Sequence, residues 1–491
     1  MPNKQDTSFL NSFSRRNFIA GASAFAAFNM AFWSGGCEGC LKQIKNRPTR
    51  RNIANLAASD PIVTTYKAAV AAMKALPGSN PISWTAQANI HNNKCPHGCW
   101  FFLPWHRAYL LYFERICRKV TGDNSFALPY WNWTTSPAIP SHFWGTSSNP
   151  LFDGTRGVGP SDHADPSWIG APVIENILSN PSFNLFASDK PPGGLPTHHG
   201  GGFGILEGNP HNNIHGWIGG DMGSFLSPLD PIFWTHHNML DCLWVDWNIN
   251  RNNANTNDSS WTDFKLTDFV DENGNPVSLP VIETVLFPIF TYQFEPCSPN
   301  ELTKKALSAA ELEKFLRAGA PSTLTFGPQR ELGRAITAPV GKPVQLSVPM
   351  EGPELQNALG SENRNRLLLT LEGVDIPSPS DFFVRVFLDK SDASADTSID
   401  DPHYAGSFGV FGDANAAAAP AAAPAATPGT PADHKPQFFV DLTSTARKLN
   451  QGGTLTSGRF NLTLIAVPYT HHEQHGQILT IQRVVLSTAR L

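Results

Sequence analysis

A short stretch, HNNKCPHGCWFFLPWH at residues 91–106, holds three histidines and two cysteines, although the chain of 491 residues has only 16 histidines and 7 cysteines. Neutral imidazole binds copper, zinc, iron and nickel, so this density indicates a metal site. A second cluster, PHNNIH, spaces His211 and His215 by four residues, which places both rings on one face of a helix. A third segment, DPIFWTHHNML, contributes His237. Two groups of three histidines are therefore candidate metal ligands.

The residues around these histidines predict that the rings point into a core. His106 shares a helical face with Leu110 and Phe113, and His237 shares one with Trp244. A single buried histidine is usually satisfied by its neighbours, but unpartnered burial costs about 1 to 3 kcal/mol for each ring. Neither group includes a carboxylate or a free thiolate, which disfavours an iron facial triad and a thiolate zinc site. We expect two metals, each held by three histidines, inside a helical bundle.

The elements that hold these rings form the first of two predicted parts. Residues 34–298 have helical patterns, such as the helix that Asp60 caps and Pro61 begins. Residues 299–491 contain short β-like runs, among them RLLLTLEGV, FFVRVFLD and FNLTLIAV. The predicted fold is an α-helical bundle core followed by a C-terminal β-sandwich. A net charge of −5 without a long basic run argues against a nucleic-acid partner.

Residues 1–33 are interpreted as a targeting segment. Arg15 and Arg16 precede the apolar run FIAGASAFAAFNMAFW, a pattern that resembles a twin-arginine export signal. The alternative is an N-terminal amphipathic anchor. The run is short and rich in Gly and Ala compared with the roughly 20 strongly apolar residues of a membrane span. We therefore expect a periplasmic or secreted protein without a stable membrane anchor.

Several segments together resemble the two copper-binding regions of tyrosinases and polyphenol oxidases, the type 3 copper family. They are HxxxCxH, FFLPWHRAYLLYFER, LPYWNW, LEGNPHNNIHGWIGG and SPLDPIFWTHHNMLDCLW. The resemblance implies two copper ions per chain and the reaction of O2 with phenolic small molecules. A copper chaperone is a possible partner. The implied ligands are His91, His97 and His106 for the first copper, and His211, His215 and His237 for the second. His236 is left as a neighbour.

The family resemblance also bears on the cysteines. It implies a thioether crosslink between Cys95 and His97, the alternative being a free or disulfide-bonded Cys95. Cys117 and Cys242 lie on apolar helix faces and are predicted to be buried thiols. The expected disulfide-forming cysteines are Cys37, Cys40, Cys99 and Cys297, although the CEGC pair at 37–40 could instead transfer copper.

The resemblance assigns roles to three further residues. Glu207 and Asn212 are expected to hold a water that accepts the phenol proton, and Phe225 matches the aromatic gate over the first copper. The alternative for Phe225 is ordinary core packing. The implied activity is ortho-hydroxylation of monophenols, such as tyrosine, and oxidation of o-diphenols to o-quinones. A catechol oxidase acting on o-diphenols only, or an oxygen carrier, are the alternatives.

The C-terminal part resembles the last domain of plant-type enzymes, through HYAGSFGVFG around Tyr404 to Phe408. This resemblance implies that the β-rich domain shields the copper site and inserts a side chain into the substrate entrance. A binding module is the alternative. Residues 414–432 form an Ala/Pro tract that we interpret as a disordered surface loop. A second metal site at HHEQH, residues 471–475, is a minor alternative.

Overall fold

The computed structural model describes residues 46–196, 201–299, 324–350, 355, 359, 365–375, 381–411, 436–455, 458–469 and 478–490. Helices predominate in the first two ranges and strands from residue 324 onwards, which confirms the predicted fold class. Four predicted features lie outside the described residues: the export segment, the CEGC pair, the Ala/Pro tract and the HHEQH cluster.

The helical part is built around two central helices, α3 and α8. The described α-helices are α1 (Pro61–Ala75), α2 (Trp84–Lys94), α3 (Phe102–Thr121), α4 (Pro166–Ile169), α5 (Ala171–Leu178), α6 (Phe183–Phe186), α7 (Asn212–Ile218), α8 (Ile232–Val245), α9 (Ser259–Thr262), α10 (Val281–Thr284), α11 (Phe287–Phe290) and α12 (Thr443–Gln451). Phe113 of α3 stacks on Trp234 of α8, with ring centroids 3.5 Å apart. Asp60 caps α1 through the amide of Ile62 at 2.9 Å, as the sequence predicted.

A buried ion-pair network fixes α3 against α8. Arg50 donates to Glu114 of α3 at 2.9 Å and to Asp241 of α8 at 3.1 Å. Arg107 of α3 reaches the same Asp241 at 2.5 Å, and the Tyr292 hydroxyl donates to it at 2.6 Å. Removing one partner would leave a buried charge uncompensated, so these contacts constrain the relative position of the two helices.

Strands from both parts of the chain form the sheets. They are β1 (Thr49–Arg50), β2 (Gly202–Phe203), β3 (Lys265–Leu266), β4 (Leu279–Pro280), β5 (Gln293–Phe294), β6 (Thr325–Pro339), β7 (Pro343–Met350), β8 (Asn365–Asp375), β9 (Phe382–Leu388), β10 (Tyr404–Gly409), β11 (Gln437–Asp441), β12 (Gly458–Pro468) and β13 (Ile478–Arg490). One large sheet has the order β10-β9-β12-β7 and the other β2-β11-β8-β13-β6, with an apolar core between them. This is the predicted β-sandwich.

The sandwich is joined to the helical part by backbone pairing. β2 comes from the helical part and pairs in parallel with β11, through Gly202–Gln437 and Phe203–Phe438. The Phe203 and Phe438 rings stack with centroids 4.8 Å apart. A strand shared between the two parts places the sandwich directly against the segment that leads into Glu207.

One cysteine prediction is wrong. Cys242 is bonded in a disulfide to Cys297 rather than being a buried thiol. β5 pairs in parallel with β1, and the chain after β5 returns to α8. The Cα atoms of Cys242 and Cys297 are therefore 6.4 Å apart, within the range of a disulfide. Cys117 is a buried free thiol, as predicted. In the described part of the chain, none of the helices combines the length and apolar character of a membrane span.

Candidate dinuclear metal site

The first group of histidines forms a regular triangle. His91 lies on α2, His97 in the loop after it, and His106 on α3; each pair of ring centroids is 5.4 Å apart. His91 Nδ1 lies 2.7 Å from the Phe225 carbonyl, and His106 Nδ1 lies 2.8 Å from the Phe102 carbonyl. Because a carbonyl oxygen only accepts, both Nδ1 atoms carry the proton and both Nε2 atoms carry a lone pair.

The second group of histidines also forms a triangle of three rings. His211 ends a π-helical turn, Glu207–His211, that runs directly into α7, which carries His215; His237 lies on α8. The ring centroids are 4.5, 5.0 and 5.4 Å apart. His215 Nδ1 donates to the Met222 carbonyl at 2.7 Å, which again leaves the lone pair on Nε2.

The two triangles face one another. The His106 and His237 rings are stacked at 4.3 Å, and the His97 and His211 rings are 5.5 Å apart. All six rings are buried. Burial lowers the pKa of His106 to about 3 and of His215 to about 4, so these rings are neutral bases at neutral pH.

This donor set fits a pair of copper ions. The Nε2 atoms of His106 and His211 are buried and have no hydrogen-bond partner among the described residues. The Nε2 atoms of His215 and His237 lie only 3.2 Å apart. Buried lone pairs that converge in this way require an acceptor, and neutral imidazole is a preferred ligand of copper. The structure therefore brings together all six histidines that the sequence predicted as ligands.

His236 lies beside the second triangle, as a neighbour of the three candidate ligands. It is fully buried, and its ring centroid lies 5.1 Å from that of His215. Four ring nitrogens lie within 4.8 Å of one another, one each from His211, His215, His236 and His237. Neither nitrogen of His236 has a hydrogen-bond partner among the described residues.

Cys95 lies at the edge of the first triangle. Its sulfur lies within 4.8 Å of ring nitrogens of His91 and His97. Cys95 caps α2, where its amide donates to the His91 carbonyl at 3.1 Å. Burial, and then the nearby Glu207, raise the pKa of the Cys95 thiol well above its ordinary value. The structure thus places the two residues of the predicted crosslink side by side.

Glu207 is fully buried at the start of the π-helical turn. Its Oε1 accepts a hydrogen bond at 2.9 Å from the amide of Gly98, the residue that follows His97. Its Oε2 accepts a hydrogen bond from the Ser188 hydroxyl. Burial raises the pKa of Glu207 well above its ordinary value, and the two hydrogen bonds partly offset this effect. A carboxylate with a raised pKa beside the ligands is a capable proton acceptor.

Asn212 connects the site to the β-sandwich. Its Oδ1 accepts from His211 Nδ1 at 2.8 Å, which orients that ring, and its Nδ2 donates to the Gly409 carbonyl at 3.0 Å. Gly409 ends β10, so a strand of the C-terminal part contacts a residue that the sequence predicted to be catalytic. No local sequence pattern indicates this contact.

Two phenylalanines lie over the histidines. The Phe225 ring is 5.4 Å from that of His97 in the first triangle, and its role as a gate stays a prediction. The Phe411 ring, from the β-sandwich, is 5.2 Å from His97, 4.6 Å from His215 and 5.1 Å from Phe225. The sequence did not single out Phe411, although the motif HYAGSFGVFG contains it.

Comparison with known families agrees with this geometry. Residues 69–199 and 161–250 match the family described as the common central domain of tyrosinase. We refer to residues 69–250, which carry both matches, as the tyrosinase domain. All six candidate ligands lie within this tyrosinase domain.

Curated relatives extend the similarity beyond the tyrosinase domain. A tyrosinase from Hahella sp. (strain CCB-MM4) is 28% identical over 466 residues, covering 82% of this chain and 92% of the relative. The latent polyphenol oxidase of Prunus armeniaca is 30% identical over 345 residues, covering 60% of this chain and 57% of the relative. The chain thus spans less than two thirds of that plant relative.

Solved structures share the architecture. A latent aurone synthase superposes with a TM-score of 0.64 at 22% identity, covering 91% of this chain and 90% of that one. A latent apple tyrosinase superposes with a TM-score of 0.62 at 21% identity, covering 90% and 97%. At these identities the likeness shows a shared fold alone, with a helical core followed by a C-terminal sheet domain.

Proposed function

We propose that this chain uses O2 to hydroxylate monophenols, such as tyrosine, at the ortho position and to oxidise o-diphenols to o-quinones. Its tyrosinase and polyphenol oxidase relatives support copper-dependent phenol oxidation as the general activity. The more specific part of this proposal, that monophenols are substrates as well as diphenols, rests on Glu207 and Asn212. Both residues are buried, and each is hydrogen-bonded to a candidate ligand or to its neighbour.

A bound copper pair would supply the activation of O2 and would accept the phenol oxygen as a ligand. Phenols titrate near 10, so a monophenol must lose its proton to a base at neutral pH. Glu207 suits this task because its burial favours the protonated form. Asn212 keeps His211 oriented through Nδ1 and presents an amide beside it, suited to holding a water between the phenol and Glu207.

The main alternative is a catechol oxidase that acts on o-diphenols only. The two activities are separated by steady-state turnover of a monophenol and of the matching catechol by the copper-loaded enzyme. We expect turnover of both, with a short lag on the monophenol. Turnover of the catechol alone would establish the alternative, and reversible O2 binding without turnover would mark an oxygen carrier.

We also propose that the β-sandwich shields the site and keeps the full chain latent. Phe411 supports this proposal, because its ring packs against Phe225 and against one histidine of each triangle, His97 and His215. Polar contacts hold the sandwich in place: Arg385 pairs with Asp165 at 2.6 Å, and the Tyr469 hydroxyl donates to Asn213 at 3.0 Å. Limited proteolysis near residues 295–340 should raise activity several-fold without changing the copper content.

Two further expectations remain proposals. Twin-arginine export would deliver the protein already folded to the periplasm or outside the cell; fractionation of cells that carry Arg15→Lys and Arg16→Lys tests this. The thioether between Cys95 and His97 is supported by the position of the Cys95 sulfur, within 4.8 Å of a ring nitrogen of His97.

A further inference from the structure

We propose that Ser188 is a positioning residue for Glu207: its hydroxyl keeps the Glu207 carboxyl group hydrogen-bonded both before and after that group accepts the phenol proton. This inference rests on the proposed monophenol hydroxylation, in which Glu207 is the base. Ser188 lies 19 residues before Glu207 and is fully buried.

The contacts of Ser188 restrict the Glu207 side chain. The hydroxyl donates to Glu207 Oε2 and accepts from the Gly204 amide at 3.0 Å. The other carboxylate oxygen, Oε1, accepts from the Gly98 amide at 2.9 Å. With a donor on each oxygen, the plane of the carboxyl group is fixed relative to the loop that carries His97.

Backbone pairing holds Ser188 itself in place. Ser188 forms a β-bridge with Phe203, and Gly202 donates to the Gly98 carbonyl at 2.9 Å. Gly204 allows this close approach, since a Cβ there would lie 2.6 Å from the Ala187 carbonyl oxygen. The Ser188 segment, the loop after His97 and the start of the π-helical turn therefore form one hydrogen-bonded unit.

A serine at this place matches both protonation states of Glu207. Its single hydroxyl proton has two acceptors, Glu207 Oε2 and the Ala187 carbonyl oxygen. When Glu207 is a carboxylate, Ser188 donates to Oε2. After Glu207 has taken the proton released by the phenol, its own O–H donates to Ser188 Oγ, and the Ser188 hydroxyl turns to the Ala187 carbonyl. One proton moves, no electron is transferred, and no buried donor loses its partner.

The test compares Ser188→Ala with Ser188→Thr, which keeps the hydroxyl, and with Glu207→Gln. We expect Ser188→Ala to lower kcat for a monophenol about tenfold, as for loss of a hydrogen bond to a charged group, with diphenol kcat within about twofold of the parent. KM should change little for either substrate, and Ser188→Thr should recover most of the loss. Ser487→Ala is the control, because Ser487 is also buried and its hydroxyl has no hydrogen-bond partner among the described residues.

A second readout does not depend on turnover. In infrared difference spectra, the protonated carboxyl band that Glu207→Gln removes should shift to higher frequency in Ser188→Ala and remain in place in the Ser487→Ala control. Should Ser188→Ala fold poorly, Ser188→Cys keeps a side chain of similar size and replaces the hydroxyl with a weak hydrogen-bond donor.

The outcomes separate this inference from the proposed function. Equal losses on both substrates at full copper content, or an unshifted carboxyl band, would show that Ser188 has only a structural role. A selective monophenol loss in Glu207→Gln with none in Ser188→Ala would overturn the Ser188 inference alone. If Glu207→Gln itself shows no selective loss, the role proposed for Glu207 is wrong and the Ser188 inference fails with it.

Discussion

The ring of Phe411, from the β-sandwich, lies 4.6 Å from the ring of His215, a candidate ligand in the tyrosinase domain. We predict that Phe411→Ala raises the diphenol kcat/KM of the full chain several-fold, because it removes the ring that covers the histidines. Phe326→Ala is the control, since Phe326 belongs to the same sandwich and is half-exposed. An unchanged kcat/KM at equal copper content would contradict the shield.

Asn212→Leu should lower monophenol turnover much more than diphenol turnover. The substitution removes the amide that we propose holds the proton-accepting water, and catechols depend less on that water because they are more acidic and offer two oxygens. It also removes the hydrogen bond to Gly409, so copper content and Tm are measured alongside turnover. Equal loss on both substrates would show that Asn212 only orients His211.

Peptide mapping tests the thioether. In the copper-loaded protein, denatured and reduced, we expect Cys95 to resist alkylation and its peptide to be two hydrogen atoms lighter than the unmodified sequence. Cys117 is the internal control, because it is a buried free thiol that should alkylate fully once the protein is denatured. Full alkylation of Cys95 would rule out the crosslink.

The copper-free protein should lose stability as the pH falls from 7 to 5. Burial lowers the pKa of His106, His215 and His236 below the ordinary value of 6.5, so between their folded pKa values and about 6.5 the unfolded chain binds more protons than the folded one. The free energy of unfolding then falls with decreasing pH, by at most about 1.4 kcal/mol per pH unit for each such ring.

Substitution of His236 measures the contribution of one histidine to this pH dependence of stability. His236 is buried with a strongly lowered pKa and is not among the six proposed ligands. His236→Asn should therefore lower, by up to one, the number of protons that the copper-free protein takes up on unfolding between pH 7 and 5. This number is proportional to the slope of the unfolding free energy against pH, measured by urea unfolding at several pH values. An unchanged slope would mean that His236 is not held neutral in the folded state.

The helical part of the fold could be predicted from the sequence because its signals are local. Asp60 and Pro61 mark a helix start, and the spacing of His211 and His215 places both rings on one face whatever the rest of the chain does. The contacts that were missed join residues far apart in sequence. Cys242 pairs with Cys297 only because β5 returns beside β1, a pairing with no local signature.

The same reason explains what was missed at the site. Ser188 reaches Glu207 through a β-bridge to Phe203, and nothing in the sequence around Ser188 indicates this function. Phe411 lies in the motif HYAGSFGVFG, but only the packing of the sandwich against the tyrosinase domain shows which phenylalanine of this motif faces the histidines.

The central claim is that two triangles of histidines hold two copper ions, and it is tested most directly by metal analysis of the purified, copper-loaded protein. We predict about two coppers per chain in the parent, and a loss of copper together with both activities in His106→Ala and in His211→Ala. One copper per chain in the parent, a preference for zinc, or full copper content after His106→Ala or His211→Ala would contradict the account.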